Sequence, residues 1–210
     1  MHQLTFSEGI AQMKKEGLTE PAMTLSRATA AGGWRHGANW DGDHDCQFAD
    51  YLSHLYNNLD AQLSGQLWWT VDTGGFFCQG SEEMLSRDFM LSATQPIMRQ
   101  HGARDTRIWG ERGRLLANEW RLGSFFTPMV LSCIGDGWTK MMTQAATAAI
   151  TLRTSLKDYV HEQMTIASKT GVPLQRYLWH DFPEDAACWD IGDEYMFGSG
   201  KPPLPPNVSR

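Results

Sequence analysis

The chain has 210 residues, 20 % of them charged, and a formal net charge of −6. With a sequence pI near 5.6 and no basic stripe, it does not fit a nucleic-acid binder. Its 41 % hydrophobic content marks a globular chain with one good core. No stretch approaches the ~18 consecutive apolar residues of a membrane helix, and Met1 to Lys15 lacks the apolar centre of a signal peptide. The cytoplasm is the default compartment.

In chain order, Met23-Thr24-Leu25-Ser26-Arg27 is a short apolar stretch ending on Arg, with Gly32-Gly33 soon after. Asn39-Trp40-Asp41-Gly42-Asp43 places an aromatic just before a glycine and two carboxylates. Phe48, Leu52, Leu55, Leu59 and Leu63 then step by 4, 3, 4 and 4 and draw one apolar helical stripe. Asp45 is its expected N-cap and Gly65 its expected C′ residue. The apolar run Leu67 to Val71 ends on Asp72, followed by Thr73-Gly74-Gly75-Phe76. That pattern is a strand with a carboxylate at its C-terminal end, or a strand followed by a turn whose Asp bonds its own backbone. Ser81-Glu82-Glu83 is an N-cap with an acidic first turn, and the helix it starts carries Met84, Phe89 and Leu91 before Pro96. Ile97-Met98-Arg99-Gln100-His101-Gly102 again ends an apolar stretch on polar residues and a glycine. A further helix carries Leu152, Leu156, Tyr159, Val160, Met164 and Ala167, and Gly171 and Pro173 end it.

Arg27, Asp43, Asp72 and His101 lie 16, 29 and 29 residues apart. The last two intervals each leave room for a crossover helix and the next parallel strand. Repeated strand, polar end and helix is the layout of a (β/α) barrel, whose active site sits at the strands' C-terminal ends. The chain is shorter than the ~250 residues of a complete eight-stranded barrel. The expected fold class is therefore α/β, a partial TIM barrel.

Motif chemistry narrows the function. Asp41-Gly42-Asp43-His44-Asp45 starts like a calcium loop, but Cys46 and Leu52 stand where a Gly and a bidentate Glu are needed. His161-Glu162 lacks the second His of a zinc-protease motif, Thr165 standing in its place. No nucleophile elbow, Walker loop or dinucleotide fingerprint occurs, so neither a metal nor a cofactor is expected. Cys46, Cys78, Cys133 and Cys188 are scattered without a C-x-x-C and are expected as free thiols. His44 and His54 are expected to be solvated or locally hydrogen-bonded. Nine Trp and nine Phe suit either ordinary core or the stacking walls of a sugar site. Asp43 and Asp72, with Arg27, Trp40, Trp69, Phe76 and His101, form a plausible glycosidase constellation: an acid, a second carboxylate, hydroxyl ligands and ring walls.

These residues carry a specific resemblance. Arg27-Ala28-Thr29, Trp40-Asp41-Gly42-Asp43, Leu63-Ser64-Gly65, Asp72-Thr73-Gly74-Gly75-Phe76 and Arg99-Gln100-His101-Gly102 resemble, in order and spacing, glycoside hydrolase family 31, the α-glucosidase and α-xylosidase family. Leu152-Arg153, Leu156 and Tyr159 resemble its last barrel helix. Gly171-Val172-Pro173, Phe182-Pro183 and Tyr195-Met196-Phe197-Gly198 resemble the entry to its C-terminal β-domain. The resemblance implies a retaining hydrolase of α-linked sugars. It makes Asp43 the general acid/base, Arg27, Asp72 and His101 ligands of the sugar hydroxyls, and Trp40 and Phe76 walls of the same subsite. The implied partner is an α-linked oligosaccharide or glycoside.

Departures are informative. Thr73 replaces the usual Ile, and Asp41 stands where a small residue is common. The family's nucleophile is an Asp well upstream of the position of Arg27, and only 26 residues precede Arg27 here. Their acids, Glu8, Glu16 and Glu20, do not end apolar runs. The expectation is a truncated chain lacking the nucleophile, with the alternative of a non-catalytic carbohydrate-binding remnant or pseudoenzyme fragment. Its complement would be the missing N-terminal half or another copy of itself. The expected organisation is a half-barrel over 1–171, poorly matched over 112–149, then the beginning of a β-domain over 172–198. A Pro-rich tail over 199–210 follows, unstructured by composition.

Overall fold

A computed structural model of the chain describes residues 2–17, 22–45, 47–74, 76, 81–101 and 140–199. The expectations for the Pro-rich tail after Ser199, for 103–139, and for Cys46, Cys78 and Cys133 lie outside the described residues.

Three short strands, β1 (Leu25–Ser26), β2 (Ala38–Trp40) and β3 (Trp69–Thr70), form one parallel sheet in that order. Leu25 pairs with Ala38 and Asn39 with Trp69. Past β3, Thr73 makes a parallel bridge to Gln100, which continues the succession. Two crossover helices join these segments: α2 (Phe48–Leu63) between β2 and β3, and α3 (Glu82–Thr94) between β3 and Gln100. Parallel neighbours joined through helices make the fold α/β.

The helix signals translate directly into structure at several points. Ser81 caps α3 by accepting from Met84 N at 3.2 Å. Gly65 takes φ 89° just beyond α2, and Gly171 takes φ 80° at the end of a later helix, the left-handed conformation in which glycine has no Cβ penalty. Other expectations are corrected. The N-cap of α2 is Gln47 rather than Asp45, and Asp50 reaches back to accept from Gln47 N at 3.2 Å. The stripe over 152–167 belongs to two helices, α4 (Lys140–Ser155) and α5 (Lys157–Thr170), divided at Leu156. Met1 to Lys15, given no element from the sequence, contains helix α1 (His2–Lys15). No helix among the described residues is long and apolar enough to cross a membrane.

The core sits between these helices and the C-terminal segment. Tyr51, Leu55 and Leu59 of α2 meet Met84 and Leu85 of α3, Val160 and Met164 of α5, and Tyr195 and Phe197. Phe89 and Ala93 of α3 pack on Ala146 and Ala149 of α4, where small side chains let the two helices approach. The Arg153 guanidinium donates to the carbonyls of Ala93, Gln95 and Pro96 at 3.2, 2.5 and 2.8 Å, closing off the C-terminal end of α3.

After α5 the chain forms β4 (Gln175–Arg176), which pairs antiparallel with β5 (Met196–Phe197). Gln175 is fully buried and joined to both crossover helices. It accepts from Asn58 Nδ2 at 2.7 Å, donates through Nε2 to Thr94 Oγ1 at 3.0 Å, and its backbone N donates to Gln62 Oε1 at 3.1 Å. Cys188 is a buried free thiol.

Candidate functional site

Because the strands are parallel, their C-terminal ends share one edge, and the polar residues that follow them collect there. Arg27 follows β1, Asp41 and Asp43 follow β2, Asp72 lies two residues past β3, and His101 follows the Gln100 bridge. Two backbone contacts hold these loops together: Phe76 N donates to His44 O at 2.9 Å, and Thr73 N to Arg99 O at 3.3 Å.

Asp72 is the electrostatic centre. It is fully buried and ion-paired with Arg99, itself buried. Burial pushes its carboxyl up to about 7, against the pull of Arg99, and the charges of Asp41 and Asp43 add to the push. Its second oxygen has no hydrogen-bond partner among the described residues. The Arg99 guanidinium also lies 5.4 Å from the Trp40 ring centroid, which fixes the indole beside the carboxylate. On the other side, the Phe76 and His101 rings are 5.3 Å apart. Burial and the Arg99 charge draw the His101 imidazole below its ordinary value, with Asp43 opposing. A neutral imidazole can both donate and accept.

Of the six expected site residues, Asp43 lies within electrostatic reach of both Asp72 and His101, with the Trp40 ring beside Arg99 and the Phe76 ring beside His101. Arg27 is exposed, but its guanidinium lies against Gly42: a Cβ there would come within 2.7 Å of Arg27 Nε. Only a glycine lets the Asp41–Asp43 turn pass so close to that side chain. Trp69, the remaining aromatic of the constellation, is buried as core.

Sequence reasoning missed several members. Arg99 stood in a motif with no role, and nothing local announces that it pairs with Asp72, 27 residues away. His54 is neither solvated nor locally bonded. It is fully buried, and its Nδ1 lies 3.3 Å from Asp88 Oδ1 on α3. Burial pulls its imidazole down, but Asp88, with Asp41 and Asp50 behind it, outweighs burial and carries it up. Asp88 is anchored in turn by Gly74 N at 2.5 Å. Thr73, a departure from the family pattern, is buried and donates to Ser92 Oγ at 2.7 Å. Its hydroxyl ties the strand end to α3, as the usual aliphatic residue could not.

Comparison with known proteins agrees with this architecture. The "Glycosyl hydrolases family 31 TIM-barrel domain" matches residues 1–163. A probable glucan 1,3-alpha-glucosidase of Oryza sativa subsp. japonica is 31 % identical over 188 residues, 87 % of this chain and 17 % of that protein. Neutral alpha-glucosidase AB of Homo sapiens is 28 % identical over 198 residues, 94 % of this chain and 18 % of its own length. Among solved structures, a GH31 alpha-xylosidase from a soil metagenome, complexed with xylose, superposes with a TM-score of 0.70 at 29 % identity, over 93 % of this chain and 28 % of that one. The chain thus spans under a fifth of the length of these curated relatives. By the extent of the domain match, it belongs to the family 31 glycosyl hydrolases.

Proposed function

We propose that this chain carries the acid/base side of a retaining α-glycosidase site, built on the latter half of a (β/α) barrel. The observation that supports it most is the convergence of Asp43, Asp72 and His101 on one edge of parallel strands, with the Trp40 ring beside Arg99 and the Phe76 ring beside His101. Asp43 is half-buried on the turn that Arg27 covers. From there it would protonate the leaving oxygen of an α-linked glucoside or xyloside and later deprotonate water. Asp72, held by Arg99, and His101 would bind sugar hydroxyls, Arg27 would complete the polar rim, and the two rings would hold the apolar sugar faces. In this reading residues 1–171 are barrel, 172–198 begin a β-domain and 199–210 are a tail.

A retaining site needs a second carboxyl group about 5–5.5 Å from the first. Glu8 is exposed on α1, Glu16 is exposed in the turn just past it, and neither follows a strand of the sheet. This favours a nucleophile supplied from outside these 210 residues, and for the chain by itself a carbohydrate-binding rather than a hydrolytic role. The test is a paired assay on the tag-free chain. Titration with glucose, xylose and maltose, followed by intrinsic tryptophan fluorescence, should show saturable binding that Asp72→Ala and His101→Ala each weaken about tenfold or more. Activated aryl α-glucosides and α-xylosides should not turn over. Absence of sugar binding by the folded chain would refute the subsite, and turnover abolished by Asp43→Asn would refute the missing nucleophile.

A further inference from the structure

We propose that Asp41, His44 and His54 form a binding site for a divalent first-row transition ion of the zinc type. This site is independent of any role for Asp43 in sugar chemistry. One donor atom from each residue lies within 4.8 Å of the other two. His44 Nε2 is 3.0 Å from Asp41 Oδ2, near the ~3.3 Å edge of a tetrahedral ion with bonds of ~2.0–2.1 Å. The third donor closes on the same centre by a shift of at most about 1.5 Å. The imidazole rings of His44 and His54 meet edge to face at 4.3 Å between centroids.

Two further observations point to a ligand. First, the donors are short of partners: His54 is 0 % exposed, the Asp41 side chain 2 % and the His44 side chain 14 %, neither His54 Nε2 nor Asp41 Oδ1 has a hydrogen-bond partner among the described residues, and Asp41 Oδ2 meets only His44 Nε2. A buried carboxylate between imidazole nitrogens is satisfied by a shared cation, which also uses the unpaired Asp41 Oδ1 and His54 Nε2 that a proton on His44 would leave without partners. Second, the support expected behind a metal-binding histidine is already in place. Asp88 faces His54 Nδ1 and is itself held by Gly74 N, which leaves the unpartnered Nε2 as the nitrogen available to the Asp41–His44 cluster. Two imidazoles and one carboxylate, leaving a position open, suit Zn²⁺ and its neighbours rather than Mg²⁺ or Ca²⁺. An ion here would pin the turn after β2 to α2.

The test uses the tag-free full chain, stripped with chelator, with Co²⁺ as optical probe. One Co²⁺ per chain should bind with the d–d absorption of a low-coordinate site, and Zn²⁺ should displace it. His44→Ala and Asp41→Asn should each weaken binding about tenfold or more, and Asp88→Asn about 10–100-fold through loss of His54 orientation. His44 lies on a loop, so its variant should keep the helical circular dichroism even where His54→Gln fails to fold. Four outcomes would overturn the site: no stoichiometric binding to the folded wild type, affinity unchanged in His44→Ala and Asp41→Asn, displacement of Co²⁺ by Mg²⁺ or Ca²⁺ as readily as by Zn²⁺, or thiolate charge-transfer bands assigning the ion to cysteines.

Discussion

A single buried carboxyl group sets the strongest pH dependence expected of this chain. Asp72 titrates near 7 when folded, well above its ordinary 3.8. Between those values the folded chain holds a proton that the unfolded chain has released, so stability falls as pH rises through that window. At about 1.4 kcal/mol per unit, the loss is on the order of a few kcal/mol by pH 8. Asp72→Asn cannot titrate, so its stability relative to wild type should rise from pH 5 to pH 8 in urea unfolding. Parallel pH profiles for the two proteins would contradict this. In a longer chain that supplies the nucleophile, the proposed roles of the two acids separate kinetically. Asp43→Ala should slow substrates with poor leaving groups most, by about 10²–10⁴-fold, and azide, which needs no general base, should partly restore the second step. Asp72→Ala should slow all substrates alike without rescue, because it removes contacts that strengthen in the transition state. Rescue of Asp72→Ala alone would reverse the assignment.

The elements were legible wherever local chemistry decides. The Ser81 cap, the glycines after α2 and α5, and the apolar stripes of α2 and α3 are set by neighbours within one or two turns, so sequence periodicity reports them. The break at Leu156 was not legible, since the stripe itself continues across it. The pairing of Asp72 with Arg99, and of His54 with Asp88, depends on which strand lies beside which and which helix face turns inward. Neither leaves a mark on residues i±4. The same division governs what substitutions cost. Ser81→Ala removes a local cap and should destabilise by about 0.5–2 kcal/mol. Arg153→Met keeps the aliphatic stem but withdraws the donors that satisfy three carbonyls at the C-terminal end of α3, and should cost about 2–4 kcal/mol. Thermal or denaturant melts of the two variants would test the order; an equal or larger loss for Ser81→Ala would mean that the Arg153 contacts contribute little.

At the scale of the whole molecule, the parallel sheet has an unpaired side among the described residues. Among the described residues β1 pairs only with β2, and Leu25 on it is 39 % exposed. Phe6 on α1 is 64 % exposed, and Phe182 and Trp189, at the other end of the chain, are 51 % and 57 % exposed. An open strand edge, together with exposed large apolar side chains elsewhere on the surface, is a template for association. The isolated chain should therefore self-associate in a concentration-dependent way in sedimentation velocity. A monomer at all concentrations, with a sharp cooperative melt, would show that the edge is covered.

The buried amide cluster around Gln175 has a temporal consequence. Its bonds join residues 113 to 117 apart in sequence on the α2 side, and Thr94 meets Tyr195 across 101. Contacts of that range form only after a large loop has closed, so they arrive late, while helix stripes can form early. In stopped-flow refolding, far-UV circular dichroism should therefore recover before the tyrosine and tryptophan signals of the packed core. Gln175→Ala should quicken unfolding while leaving the refolding rate nearly unchanged, the behaviour of a contact absent from the transition state. A variant that instead slowed refolding would place this amide in the folding nucleus.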